Sequence, residues 1–382
     1  MKGKSNASAL FLGILFLSQL VLLNPVMAGS TRISAAGDHT LVVKSDGSLW
    51  AFGANNHGQL GDGTTANRSS PVQIGTDKDW VSVSAASHPR NHYSIALKSS
   101  GTLWAWGGNT NGQLGDGTTV NRPSPVQIGT DKDWALVTAG SGHALALKSN
   151  GTLWGWGLNS NGQLGDGTTV DRPSPVQIGT DKDWVSVSAG GSYTIVLKSN
   201  STLWAWGGNT YGHLGDGTVE ERHSPKQIGT DKDWVSVKAG YYDAHALKKD
   251  GTLWGWGFNR YGVLGDGTTK GKNSPVQIGK DKDWGSVLTG INYTLALKMD
   301  GTLLGWGRNQ SGQLGNGTTK DRLSPGQIGT DKDWVLVSKG KAHSIALKSN
   351  GTLWVWGENV YGQLGDGTTA SKSTPVQIGD KW

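Results

Sequence analysis

Seven recurring positions carry side chains able to hold a metal or pass a proton: His39, Tyr93, His143, Tyr193, Asp243, Tyr293 and His343. As a metal site the set is poor. Zinc needs its ligands within about 2.0–2.1 Å of one ion, and the three histidines, in units one, three and seven, are not all neighbours. Buried polar tips must find partners, so a structural hydrogen-bonding ring is the first expectation and a ligand-binding mouth the second.

A second set lies in the repeated phrase Leu-Gly-Asp-Gly-Thr, which supplies Asp62, Asp116, Asp166, Asp216, Asp266 and Asp366, with Asn316 as the exception. One cation follows each time: Arg68, Arg122, Arg172, Arg222, Lys272, Arg322 and Lys372. Calcium wants several oxygens from one short loop, and one Asp per loop does not supply them. An ion pair or turn within the loop, worth little energetically, is expected. There are no cysteines, which excludes thiolate nucleophiles, thiolate metal sites and redox switching. No acid–base pair, Ser-His-Asp set or phosphate loop has support. Gly-x-Gly matches come from the Gly-Asp-Gly-Thr turns and carry no weight. The expectation is a protein that is not an enzyme and carries no cofactor or metal.

These residues recur because the chain repeats. Gly-Thr-Leu-Trp starts at Gly101, Gly151, Gly251 and Gly351, with variants at Gly47, Ser201 and Gly301. Seven copies follow at a spacing of 50, except for 54 between the first two, where His88 to His92 lengthens one loop. In the unit from Asp183 to Gly229, Trp184–Ala189 alternates as strand A and Tyr193–Lys198 reads as a buried strand B. Thr202–Gly207 is strand C, and Ser224–Ile228, which contains Pro225, is an edge strand D. Asn150-Gly151, Asp250-Gly251, Asp300-Gly301 and Asn350-Gly351 predict two-residue hairpins with both residues at positive φ. One four-stranded meander cannot bury both faces, but seven arranged radially can. The fold class is therefore all-β, a seven-bladed β-propeller of four-stranded antiparallel blades. Its ring is expected to close when the C-terminal segment ending at Trp382 and the strand from Thr31 to Gly37 share one blade. Three aromatic slots per unit account for all 19 tryptophans once Phe52 and Leu304 fill two slots; they are expected to pack between blades.

Residues 1–28 stand apart. Lys2 and Lys4 precede an apolar run from Ala9 to Leu23, and Val26-Met27-Ala28 fits a cleavage site before Gly29. That is the pattern of a secretory signal peptide, and the run is short of the roughly 20 residues of a spanning helix; an uncut anchor is the alternative. The expected organisation is a signal over 1–28 and one propeller over 29–382. The protein would be secreted or periplasmic, with no membrane span after cleavage. Losing two lysines lowers the net charge from +6 to +4. With no basic block, nucleic-acid binding is not expected.

The unit at Ala139 to Gly165, Ala-Gly-x-x-His-x-x-Ala-Leu-Lys followed by Gly-x-Leu-Trp-x-Trp-Gly-x-Asn-x-x-Gly-Gln-Leu-Gly, resembles the regulator of chromosome condensation repeat. The likeness covers 31–382 and implies the propeller. For function it implies less: members include a guanine-nucleotide exchange factor, a photoreceptor and a secreted bacterial inhibitor that covers its target with one face.

What varies between copies is more informative. Two positions before Gln-Leu-Gly the chain reads His57, Asn111, Asn161, Tyr211, Tyr261, Ser311 and Tyr361. Just before the ring position it reads Asp38, His92, Gly142, Ser192, Tyr242, Asn292 and Ala342. Both sets fall in A–B and C–D loops, which emerge on the same side of a meander. Tyr211, Tyr241, Tyr242, Tyr261, Tyr293 and Tyr361 are expected to cluster there, as in a recognition surface; drift of duplicated loops is the bland alternative. The functional expectation is a monomeric, exported binding module for a protein partner. A lectin-like propeller for envelope or extracellular glycans is the alternative. Nucleotide exchange and catalysis rank lower.

Overall fold

The computed structural model describes residues 32–86, 92–379 and 382; the expected signal segment and most of the longer loop near His88 lie outside them. The described strands form seven four-stranded antiparallel sheets, each built from four consecutive strands. Blade 4 is typical, with strand A over Trp184–Ala189, B over Tyr193–Lys198, C over Leu203–Gly207 and D over Arg222–Ile228. The blades span 33–73, 80–128, 134–177, 184–228, 234–277, 284–327 and 334–378. No helix occurs among the described residues.

Strand B is buried nearly throughout, because it has strands on both sides and blades on both faces. Strand D carries the proline and alternates half-buried and exposed positions, as an outer edge does. The B–C turn differs from its expected form. Gly151 has φ +79°, but Asn150 does not share it: among the described non-glycine residues only Ser201 and Asn292 have positive φ. Gly151 N–H donates to Lys148 O at 2.9 Å and Lys148 N–H to Thr152 O at 3.1 Å, which makes a three-residue loop with a glycine bulge. Asn150 instead uses its side chain, accepting from Thr152 N–H at 3.1 Å and Thr152 Oγ1–H at 2.7 Å.

The core lies between blades. One cluster joins Leu145, Leu153, Leu164 and Ile178 of blade 3 to Trp184, Val196 and Trp206 of blade 4. Trp206 Nε1–H crosses back to Gln163 O at 3.0 Å. Equivalent bonds run from Trp106 to Gln59, Trp156 to Gln113, Trp256 to His213, Trp306 to Val263 and Trp356 to Gln313. These six tryptophans thus glue blades through area and one directed bond each.

The termini meet in blade 1, but they share the work unequally. All four strands of that blade come from the N-terminal segment. From the C-terminus, Trp382 fills the vacant strand A aromatic slot. Its ring meets Trp50 edge-on at 6.2 Å, Lys44 lies over both rings, and its amide donates to Gly351 O at 3.0 Å. Trp134 makes the same amide bond to Gly101 O.

Candidate functional site

Each ring residue opens strand B of its blade, where the pleat turns it toward the next blade. The result is a set of bolts inside the wall. His39, Tyr93, His143, Tyr193, Tyr293 and His343 are fully buried and Asp243 is 2% exposed. The three tyrosine hydroxyls donate to backbone: Tyr93 to His143 O at 2.5 Å, Tyr193 to Asp243 O at 2.5 Å and Tyr293 to His343 O at 2.6 Å. The histidine Nε2 atoms pair with hydroxyls: His39 with Ser94 at 3.1 Å, His143 with Thr194 at 3.4 Å and His343 with Thr40 at 2.9 Å. Asp243 completes the circle by accepting from Thr289 Oγ1–H of blade 6. Every blade is bolted to the next, including seven to one.

These seven residues are accordingly corrected from partner-binding candidates to structural ones, because burial keeps them from any surface partner. The hydrogen-bonding ring is the reading that fits. Burial holds the His143 and His343 imidazoles down at about 3 and His39 well below its usual range, so all three are neutral at neutral pH. Burial raises the Tyr93 and Tyr193 phenols. The sequence holds a signal for this role: opposite each His or Asp bolt the next blade offers Ser94, Thr194, Thr294 or Thr40, whereas opposite each Tyr it offers Ala144, Ala244 or Ser344. A longer side chain reaches backbone and wants a small neighbour.

In the C–D loops the Asp and the following cation pair within the loop, except where Asn316 stands before Arg322. Asp216 accepts from Thr218 and pairs with Arg222 at 2.8 Å, while Asn209 holds Asp216 and the Thr218 carbonyl. Asp62–Arg68, Asp116–Arg122 and Asp166–Arg172 repeat the pair at 2.7–2.8 Å. Among the described residues no group of three or more His, Cys, Asp or Glu is arranged to hold a metal.

The A–B and C–D loops do share one face. Tyr211, from the C–D loop of blade 4, packs on Tyr242, from the A–B loop of blade 5, with ring centroids 4.9 Å apart. Tyr241 meets Tyr242 at 4.4 Å, and Phe258 meets Tyr211 at 5.1 Å. Beside them Tyr261 lies between the guanidinium groups of Arg260 and Arg308, at 5.7 and 5.4 Å. Tyr211 is 45% exposed, Tyr241, Tyr242 and Tyr261 are half-buried, and burial pushes the Tyr242 phenol up to about 12. Tyr361 is exposed on blade 7, and Tyr293 is inside the wall rather than with the others. The half-buried His57 and His92 flank blades 1 and 2, with centroids 6.2 Å apart. Phe258, Arg260 and Arg308 were missed by considering two loop columns only; their own columns vary just as visibly.

The opposite face is repetitive. Lys98 bridges Asp77 and Asp79 and covers Trp80 and Trp104, and Lys148, Lys198, Lys248 and Lys348 repeat that pattern. The molecule therefore has a uniform face and a differentiated one.

A family model described as Regulator of chromosome condensation (RCC1) repeat matches residues 46–88, 100–147, 150–197, 200–247, 250–297, 300–347 and 350–381. The ultraviolet-B receptor of Arabidopsis thaliana is 37% identical over 98 residues, which is 26% of this chain and 22% of the receptor. Protein RCC2 of Homo sapiens is 43% identical over 91 residues, 24% of this chain and 17% of that protein. The matched part thus spans only about a fifth of these relatives. Among solved structures, yeast RCC1 (Prp20) bound to Kap60 superposes with a TM-score of 0.77 at 20% identity, covering 92% of this chain and 88% of that one. Human WBSCR16 gives 0.76 at 22% identity, covering 87% and 94%. At such identities these structures speak for the fold alone.

Proposed function

The chain belongs to the regulator of chromosome condensation repeat family, and from that premise we propose that it is an exported module that binds a protein partner through its A–B/C–D loop face. The observation that carries this reading is the aromatic and cationic patch of Tyr211, Tyr241, Tyr242, Phe258, Tyr261 and Arg308. It sits where the repeats diverge, on a scaffold that is otherwise nearly invariant. Tyrosine and arginine dominate binding hot spots, because large semi-rigid side chains bury area at low entropic cost. The similar yeast Prp20p is described with binding properties to Gsp1p and histones, so protein recognition is a use to which this fold is put. Catalysis has no comparable support, since the ring histidines are sealed in the wall.

Export rests on residues 1–28, read as a leader, and N-terminal sequencing of the mature protein is expected to begin at Gly29. The binding reading is tested by affinity capture from the source organism's envelope and culture fluid, followed by titration of the captured protein. Y211A/Y261A is expected to weaken the titrated complex by about 30-fold or more, the scale of a 2 kcal/mol hot spot. K132A/K232A, on the uniform face, is expected to leave it unchanged. Equal affinity for both variants overturns the proposed face, and retention of a glycan array instead of a protein moves the reading to a lectin.

A further inference from the structure

The central channel departs from the repeat in one sector. Strand A lines it in every blade, and its cavity is about 250 Å³. At one position of that strand, blades 1, 2, 3, 4 and 7 carry Ser34, Ser84, Thr138, Ser188 and Ser338. Each hydroxyl accepts the strand A amide of the following blade, from Ala85, Ala139, Ala189, Ala239 and Ala35, at 2.9–3.4 Å. This belt ties the inner rim together. Blade 5 has Lys238 there and blade 6 has Leu288. An ammonium or an isobutyl group cannot accept a hydrogen bond, so the belt lapses on both sides of Trp284–Thr289, strand A of blade 6.

One position further on, where five blades have alanine and blade 6 has Thr289, blade 7 has Lys339. Its ammonium lies back across blade 6, so close over Gly290 that a methyl group there would overlap it. Lys238, at the position whose hydroxyl elsewhere reaches the next blade, also lines the cavity. Lys341 adds a third cation at the loop-face end. The described residues lining the cavity include these lysines and no carboxylate. Of the acids around it, Asp243 is buried behind the wall, its carboxylate taking the Thr289 hydroxyl while its charge acts on Lys339, and Asp38 and Glu358 act on Lys341 at the loop-face end. Stability is given up at one place in an otherwise regular belt, and cations are gathered there. Such a local breach of the rules is what a functional site looks like.

We infer that the channel binds one small multivalent oxyanion, of the size of phosphate or a short dicarboxylate, between Lys238 and Lys339 over strand A of blade 6. The volume suits such a group, since a water takes about 30 Å³ of liquid. Inside the cavity the anion would supply acceptors that the lining does not, since no carboxylate lines it, through charge-assisted hydrogen bonds to Lys238 and Lys339. Entry is from the loop face, past Tyr241 and Lys341.

The test is isothermal titration of the whole chain with inorganic phosphate and, separately, with succinate, against sodium chloride at matched ionic strength. K238S and K339A restore residues that other blades carry, so they are suited to keep the fold, and their melting curves check this. The expected result is saturable one-to-one binding of phosphate, succinate or both by the native chain, weakened at least 10-fold by either substitution and unaffected by K332A on the uniform face. Absence of saturation by either anion up to 10 mM, or equal binding by native chain and variants, overturns the inference. The native titration alone decides if a variant fails to fold.

Discussion

Replacing Tyr93, Tyr193 and Tyr293 with phenylalanine removes three inter-blade bolts and leaves the ring packing intact. The magnitude follows from what each carbonyl keeps. His143 O retains Gly140 N–H at 2.8 Å, Asp243 O retains Gly240 N–H at 2.6 Å, and His343 O retains Gly340 N–H at 2.7 Å. No carbonyl is orphaned, so each change should cost near the net value of a hydrogen bond, about 1 kcal/mol, rather than the larger penalty of a buried unpaired group. The sites lie in blades 2, 4 and 6 and share no partner, so the costs should add to about 3 kcal/mol. At about 2.1 cal/mol/K per residue of unfolding entropy, a propeller of this size should melt roughly 4 °C lower. Equilibrium urea unfolding followed by tryptophan fluorescence, beside calorimetry, reads both quantities. No change in the triple variant would show that the hydroxyls do not hold the blades. A loss well above 3 kcal/mol at any single site would show that the second partner on the carbonyl is not made.

Other outcomes follow from the same structure. Ser201 stands at φ +63° where all six other B–C turns have glycine, so S201G should stabilise by about 0.5–1 kcal/mol, the αL strain relieved less the entropy of glycine, as read by urea midpoint. His143 and His343 titrate near 3 in the fold against about 6.5 unfolded. The unfolded chain therefore binds more protons between those values, and stability should be intact above pH 6.5 and fall as pH drops toward 3; H143Q should flatten that slope in acid unfolding curves. Lys339, pushed down to about 8 by burial, with Asp243 partly opposing the shift, gives up its proton earlier when folded. The native chain should gain stability relative to K339A as pH rises from 8 to 10.5, measured by urea unfolding across that range.

The fold was legible because repetition multiplies each weak signal. Strand limits, seven blades, the tryptophan glue and the loop ion pairs could all be read from aligned columns. The B–C turn was not, because Asn-Gly fits two hairpin geometries and the sequence does not reveal that Asn150 spends its side chain on Thr152. The ring was legible as a hydrogen-bonding circle, but how deep its residues lie, and so that they line no mouth, was not, since a column says nothing about depth. Their partners Ser94, Thr194 and Thr40 are about 50 or 300 residues away in sequence. At the closure, the first blade has four strands from the N-terminal segment, and among the described residues of the C-terminal end Trp382 fills its aromatic slot. Lys238 and Lys339 were visible as departures from a small-residue column. Recognising them needed the knowledge that the column faces the channel.

The most direct test of the account is amide hydrogen exchange of the chain alone and saturated with its captured protein partner. Protection is expected at residues 208–213, 240–242 and 258–262, the loops that carry the tyrosine and arginine patch, with no change in the B–C turns at 149–151 and 249–251. Protection confined to those turns, or spread evenly round the ring, would contradict a recognition face built on blades 4 to 6.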